Sequence, residues 1–197
     1  MFTGIVQAIG KISASEDCHG DLRLQINTAE LALDNLKLGD SIAVNGICLT
    51  AVRFDAQSFT ADVSAATLAA TTLGNLGVSS LVNLERSLTL ADSLGGHLVS
   101  GHVDGVGQVV SLEADARSTC IGFDIDPTLC RYVARKGSVT VDGTSLTVND
   151  VAGHRFFVNI VPHTLERTIM GHYEEGTRVN IEVDLVARYL ERLMMKS

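Results

Sequence analysis

The feature that most constrains this chain is an internal duplication. Displaced by about 97 residues, the second half of the 197-residue sequence lies over the first almost without gaps. Asn45-Gly46 falls on Asp142-Gly143, Leu49-Thr50 on Leu146-Thr147 and Gly4-Ile5-Val6 on Gly101-His102-Val103. Thr67-Leu68 meets Thr164-Leu165, Gly74 meets Gly171, and Val82 to Glu85 meets Val179 to Glu182. Two β-rich halves match here and there by chance, but not at several motifs with one shared offset. A domain-sized unit present twice predicts tandem domains rather than a solenoid, whose units are shorter and more numerous. The expected division is 1–96, 97–184 and a terminal segment 185–197, with the join near Gly95-Gly96-His97.

Each copy reads as β. Ser41 to Val44 and Ile47 to Val52 flank Asn45-Gly46, two residues that tolerate the positive φ of a tight hairpin turn. The second copy repeats this with Ser138 to Val141, Asp142-Gly143 and Thr144 to Val148. Further strands are expected at Gln7 to Ile12, Leu22 to Ile26, Phe59 to Val63 and Leu81 to Leu84, with counterparts at Val106 to Val110, Cys120 to Ile125, Phe156 to Val161 and Arg178 to Val183. Short helical turns are expected at Ala29 to Leu36, Thr67 to Leu73 and Pro127 to Arg135, and a terminal helix over Leu185 to Met195. The expected fold is all-β: two tandem six-stranded antiparallel Greek-key barrels related by duplication, with a short C-terminal α-helix.

The hairpin sorts side chains by face. A two-residue loop pairs Val44 with Ile47, Ala43 with Cys48, Ile42 with Leu49 and Ser41 with Thr50. Ile42, Val44, Ile47 and Leu49 then share an apolar face, while Ser41, Ala43, Cys48 and Thr50 share one of small, polar or nucleophilic groups. The second copy places Ser138, Thr140, Ser145 and Thr147 in the same way. One such strip reads as a solvated outer face; its recurrence favours a ligand site. Small hydroxyl side chains suit a flat polar heterocycle, because they hydrogen-bond without filling the space.

Composition narrows the partners. Fifteen Lys plus Arg against 23 Asp plus Glu leave a formal charge of -8, the wrong sign for nucleic acid or an anionic membrane surface. With 5% aromatic residues and no Trp, stacking platforms for single-stranded nucleic acid are scarce. No stretch approaches the ~18 apolar residues of a membrane-spanning helix. The start MFTGIVQAIGK lacks the basic and apolar regions of a signal peptide, and Cys18, Cys48, Cys120 and Cys130 form no CxxC pair, which reads as free thiols in a reducing cytoplasm. Neither HxxxH nor paired CxxC occurs, so no metal site is expected. Gly105-Val106-Gly107 begins a dinucleotide-like pattern that fails at Val110.

Four segments together carry a resemblance. They are Met1-Phe2-Thr3-Gly4-Ile5-Val6, Gly39 through Thr50, the junction Gly95 through Gly105, and Lys136-Gly137-Ser138 with Asp142 through Thr147. They resemble the riboflavin synthase family, over practically the whole chain. The resemblance implies dismutation of two 6,7-dimethyl-8-ribityllumazine molecules: a four-carbon unit passes from one to the other, giving riboflavin and 5-amino-6-ribitylaminouracil in the last step of riboflavin biosynthesis. It implies no cofactor, two substrate molecules per site, and a homotrimer with each site between the N-terminal barrel of one subunit and the C-terminal barrel of its neighbour. Association with lumazine synthase is a further expectation.

By the same resemblance, one pocket uses Gly4, Ile5 and Val6, Ser41, Cys48, Leu49 and Thr50, and Asp62, Val63, Ser64, Ala65, Ala66 and Thr67. The other uses Gly101, His102 and Val103, Lys136, Ser145, Leu146 and Thr147, and Ile160, Val161, Pro162, His163, Thr164 and Leu165. Phe2 and Thr3 match a start that the family uses at its active site. Ala65-Ala66 departs from the Pro-Glu, or another residue followed by Glu, that many members carry there. Two copies of one substrate in different roles require related but unlike pockets, so the informative positions are those at which the copies differ: Cys48 against Ser145, Ile5 against His102, Gly39 against Lys136, Asn45 against Asp142, and Ala66 against His163. The chemistry needs a nucleophile or water at C7 of one lumazine and proton removal from the C7 methyl of the other. Cys48, His102, Ser145 and Thr147 are the catalytic candidates. Cys18, Cys120 and Cys130 receive no catalytic role, and His97, His154 and His172 read as structural or solvated. The competing readings are a lumazine- or flavin-binding antenna protein without catalysis, and a ligand-free interaction module.

Overall fold

The structure, a computed structural model, describes residues 1–194. In the first copy the chain runs β1 (Ala8–Cys18), β2 (Asp21–Asn27), β3 (Ser41–Val44), β4 (Ile47–Phe54), β5 (Ser58–Val63), α1 (Ala65–Ala70) and β6 (Leu81–Arg86). The second copy follows as β7 (Gly105–Asp115), β8 (Ser118–Asp124), β9 (Ser138–Val141), β10 (Thr144–Thr147), β11 (Asp150–Ala152), β12 (Arg155–Ile160), α2 (Pro162–Arg167) and β13 (Arg178–Val183), and α3 (Leu185–Met194) closes it. The first six strands form a closed antiparallel barrel in the order β1-β2-β5-β4-β3-β6. The second sheet runs β10-β9-β13-β7-β8-β12-β11. It has seven strands because the counterpart of β4 is broken in two; Asn149, a poor strand former, replaces the β-branched Val52 at the break. The two ends of that sheet are consecutive pieces of one strand, so the second copy keeps the barrel-like order.

Both hairpins have the register their sequences dictate. Val44 pairs with Ile47 and Ala43 with Cys48; Val141 pairs with Thr144 and Thr140 with Ser145. Asn45 and Gly46 take φ of 46° and 76°, Asp142 and Gly143 φ of 43° and 77°, the left-handed conformation that this turn demands. The apolar faces fill two cores. Ile42, Val44, Ile47 and Leu49 join Leu24, Ile26, Phe59 and Leu84 in one. Val139, Val141 and Leu146 join Ile121, Phe123, Phe156 and Ile181 in the other, where Phe123 and Phe156 stack with centroids 5.2 Å apart. Each such side chain contributes about 1.5–3 kcal/mol by leaving water.

Three expectations are corrected. Ala29 to Leu36 is not helical: Ala29 and Asn35 have φ of 49° and 65°, which breaks a right-handed helix, and the segment instead tucks Leu31, Leu33 and Leu36 into the first core. Pro127 to Arg135 holds only a 3-10 turn, Cys130–Tyr132. The strand expected through Val161 ends at Ile160, because Pro162 is pre-organised for the first turn of α2 and Val161 becomes its N-cap. The terminal helix is present as α3; Met195 lies outside the described residues.

The barrels meet around a pseudo-two-fold axis. Phe2 and Val99, equivalent in the repeat, pair as an antiparallel bridge. The Asn83 side-chain amide donates to the Asp142 carbonyl at 2.8 Å, and that of Asn180 donates to the Asn45 carbonyl at 2.9 Å. The two turns abut so closely that a Cβ on Gly46 would stand 2.7 Å from the Gly143 nitrogen, and the converse holds for Gly143. Glycine is required at both places for its positive φ and for this approach.

Candidate active site

Sequence equivalence assigns Gly4-Ile5-Val6 to the Cys48 strip and Gly101-His102-Val103 to the Ser145 strip. The structure exchanges them. The Cys48 amide donates to the Gly101 carbonyl at 2.9 Å, and the Ser145 amide to the Gly4 carbonyl at 2.7 Å. A Cβ on Gly101 would sit 2.7 Å from the Cys48 Cβ, and one on Gly4 2.6 Å from the Ser145 Cβ. Val103 packs against the first core, not the second. The exchange follows from the pseudo-dyad: the two segments pair with each other at Phe2 and Val99, so each emerges over the other barrel.

Two carboxylates fix the crossing segments. Glu85 on β6 accepts from the Thr3 amide at 2.6 Å, the Thr3 hydroxyl at 2.7 Å and the Gly4 amide at 3.0 Å. Glu182 on β13 accepts from the Ser100 amide and hydroxyl at 2.7 and 2.6 Å and the Gly101 amide at 2.9 Å. Both are buried, and burial pushes the Glu85 carboxyl above its ordinary range while the Thr3 and Gly4 bonds pull against that. Neither glutamate was among the sequence candidates. Their signal lay in the repeat itself, as identical acidic residues closing matched apolar strands.

The first strip thus comprises Ser41, Cys48 and Thr50 with Gly101-His102-Val103 beside them; Phe2 and Val99 cover Ala43 and pack on Cys48. The second comprises Ser145 and Thr147 with Gly4-Ile5-Val6. Thr50, Thr147, His102 and Ile5 are exposed, so both strips face outward. Leu49, Val63, Leu146 and Ile160 give their side chains to the cores, which leaves only their backbone to face a ligand. β5 pairs antiparallel with β4 at Ala51 and Ala61, which carries Asp62 to Thr67 back toward the hairpin end. β12 does the same for Ile160 to Leu165, through Asp150 and Phe157. In these loops Ser64 caps α1, accepting from the Thr67 amide, and Ala65, Ala66, Val161, Pro162 and His163 are exposed while Thr67, Thr164 and Leu165 are half-buried. Asp62 is engaged by Arg23 in a two-pronged pair at 2.7 and 3.0 Å. Lys136 is exposed with φ 67°, at the position where the first copy has Gly39 with φ 91°.

A third residue missed from sequence is His97, read there as structural or solvated. It is partly buried, and its Nδ1 lies 2.7 Å from the Ser145 Oγ. Burial holds its pKa below the ordinary imidazole value, against the field of Asp184. Asp142 meets the first barrel through its carbonyl, which accepts from Asn83, while its carboxylate is held within its own barrel: it accepts from the Tyr173 hydroxyl at 2.6 Å and the Asn180 backbone amide at 2.8 Å, and burial pushes it up to about 7. Burial also raises the Cys120 and Cys130 thiols, which keeps them protonated and poorly nucleophilic. Among the described residues no group of His, Cys, Asp and Glu could hold a metal ion, and no helix is long and apolar enough to cross a membrane.

Two barrels, each with a hydroxyl-lined hairpin, define a tandem pair of small-ligand domains, and a family model for the lumazine binding domain matches residues 3–87 and 100–184. The chain is 46% identical over 195 residues to the riboflavin synthase of Photobacterium phosphoreum, covering 99% of this chain and 89% of that one. It is 39% identical to that of Bacillus subtilis (strain 168), covering 100% and 91%. LumP complexed with riboflavin superposes with TM-score 0.85 at 26% identity, over 93% of this chain and 99% of that one. LumP complexed with 6,7-dimethyl-8-(1'-D-ribityl) lumazine superposes with TM-score 0.83. The chain belongs to the riboflavin synthase family of enzymes.

Proposed function

We propose that the protein dismutes two 6,7-dimethyl-8-ribityllumazine molecules to riboflavin and 5-amino-6-ribitylaminouracil. The observation that carries this reading is the pair of strips: related by a pseudo-dyad, roofed alike by exchanged segments, yet unlike in chemistry, with Cys48 in one and Ser145 in the other. One lumazine must lose a proton from its C7 methyl while the other is attacked at C7, so related but distinct pockets serve the reaction. Atoms balance with no outside oxidant or reductant, because the four carbons one molecule loses are those the other gains.

In this reading Cys48, with His102 next to it, serves one lumazine, and Ser145 and Thr147 serve the other. The remaining segments 2–6, 62–67, 101–103, 136 and 160–165, with Ser41 and Thr50, frame the two ligands. The outward-facing strips and the exposed Val186, Tyr189, Leu190 and Leu193 of α3 support a homotrimer in which strips from neighbouring subunits meet. The same reading puts the enzyme in the cytoplasm, supported by its four free cysteines. The antenna reading draws on LumP, crystallised with riboflavin and with the lumazine. An antenna protein, however, needs one good pocket, and here both strips keep polar groups.

The test is incubation of the purified protein with the lumazine alone. Riboflavin and the uracil product in equal amounts are expected. Tight fluorescent binding with no riboflavin formed would overturn the enzyme reading in favour of the antenna, and no binding would favour the interaction module.

A further inference from the structure

His97 is set against the second strip by backbone geometry. Its amide donates to the Thr3 carbonyl at 3.1 Å, and the preceding residue must be glycine, because a Cβ on Gly96 would come within 2.9 Å of the Ser145 Cβ and collide with the Thr3 carbonyl. The ring lies between two hydroxyls, with Nδ1 2.7 Å from the Ser145 Oγ and Nε2 3.3 Å from the Thr140 Oγ1. Thr140 is 1% exposed. Among the described residues its hydroxyl makes no other hydrogen bond.

This fixes the direction of the chain. A buried hydroxyl with no acceptor is destabilising, and the acceptor within reach of Thr140 is the His97 Nε2. If Thr140 donates there, a neutral ring carries its proton on Nδ1 and donates to the Ser145 Oγ. The Ser145 hydrogen then cannot point at the ring and is left for the strip. The first copy has no such chain: Ala43 and Cys48 stand where Thr140 and Ser145 do, under Phe2 and Val99.

We propose that Thr140, His97 and Ser145 form a directed hydrogen-bond chain that makes the Ser145 hydroxyl a donor to a carbonyl oxygen or ring nitrogen of the heterocycle on the second strip. His97 is a positioning residue, acting through Ser145. The inference rests on the lumazine reading of the site and deepens it: of two identical substrates, the one on the second strip has electron density drawn toward a fixed donor, so the strips impose different roles. Burial, which disfavours the imidazolium, keeps the ring in the neutral state the chain requires. The charged group whose field bears on it is Asp184, on the link between β13 and α3.

The experiment uses the full-length protein in two independent arms. In the first, nitrogen-15 histidine spectra of wild type are compared with His97→Asn to assign the ring. A neutral, Nδ1-protonated His97 is expected, and the Nε2-protonated tautomer would overturn the chain. In the second, turnover of 6,7-dimethyl-8-ribityllumazine is measured. His97→Ala should lower kcat roughly tenfold with KM changed less than about twofold. His97→Asn, whose side-chain amide can still donate to Ser145, should recover most of that loss, and His97→Ala should add little in a Ser145→Ala background. Equal losses in the two His97 variants, or full additivity with Ser145→Ala, would overturn the proposal. Riboflavin fluorescence quenching at the first strip checks that each variant is folded. If wild type binds the lumazine without turning it over, the functional reading fails, while the tautomer still decides the chain.

Discussion

The Cys48 amide donates to the Gly101 carbonyl at 2.9 Å, across the boundary between the two copies. Its twin bond, from Ser145 to Gly4 at 2.7 Å, crosses in the opposite direction. Neither barrel therefore builds its strip alone. The segment over either strip is anchored by a glutamate of the other barrel, so the two halves are coupled through backbone as well as through packing.

Replacement of the crossing glycines should be costly. Gly4 and Gly101 have φ of 76° and 79° and closely approach Ser145 and Cys48. Gly101→Ala combines left-handed strain, worth about 1–3 kcal/mol, with a collision against the Cys48 Cβ and the Phe2 ring. Thermal unfolding should show a loss of that size or larger, together with weakened ligand binding. An unchanged Tm would contradict the packing described.

The two glutamates should act on opposite strips. Glu85→Gln sets an amide donor against a Thr3 or Gly4 donor, which costs on the order of 1–3 kcal/mol and loosens the segment over Ser145. Glu182→Gln does the same over Cys48. Pairing each with Cys48→Ser and Ser145→Ala in double-mutant cycles of binding should give coupling for Glu182 with Cys48 and for Glu85 with Ser145. Coupling in the uncrossed pairs would refute the exchange.

Asp142 makes stability depend on pH. Its folded-state pKa is raised to about 7 by burial, from an unfolded value of 3.8, so between these limits the folded state holds the proton more tightly than the unfolded state does. Its contribution is complete below about pH 4 and is lost as pH rises through 7. Urea unfolding from pH 4 to 8 should show that decline against the background of the other groups. Asp142→Asn should flatten it, because Asn45 already fills the equivalent position with an amide that accepts from the Asn83 backbone at 2.7 Å.

The α3 face should carry assembly. Val186, Tyr189, Leu190 and Leu193 recur at helical spacing and are 61%, 64%, 52% and 82% exposed. Tyr189→Glu with Leu193→Glu should shift sedimentation from the proposed trimer to monomer and lower turnover more than the lumazine affinity of a single strip. A double variant that stays trimeric would place the contact elsewhere.

Ser145→Ala and His102→Ala should slow turnover more than they weaken binding at the first strip. Steady-state kinetics beside fluorescence titration separates the two. A purely affinity-based loss would remove both residues from the chemistry.

Much of this was legible in the sequence because it is local or repeated. Asn-Gly and Asp-Gly force their turns through backbone sterics, and the period of two then sorts Cys48 and Ser145 from Leu49 and Leu146. The offset carried every strand of one copy onto the other, except where Asn149 interrupts. What stayed hidden was set by contacts between distant residues. His97 read as structural or solvated because nothing within a few positions of it marks Ser145 as its neighbour, and Glu85 and Glu182 stood out only as a matched pair, since Thr3 and Ser100 reach them from 82 residues away.

The sequence by itself determined that there are two barrels, where each hairpin turns and which of its faces is apolar, since these follow from φ preferences and side-chain alternation. Only the tertiary structure decided which segment roofs which strip. That depends on the pseudo-two-fold packing of Phe2 against Val99 and of Gly46 against Gly143, a relation between copies rather than within either one, and no property of a single repeat encodes it.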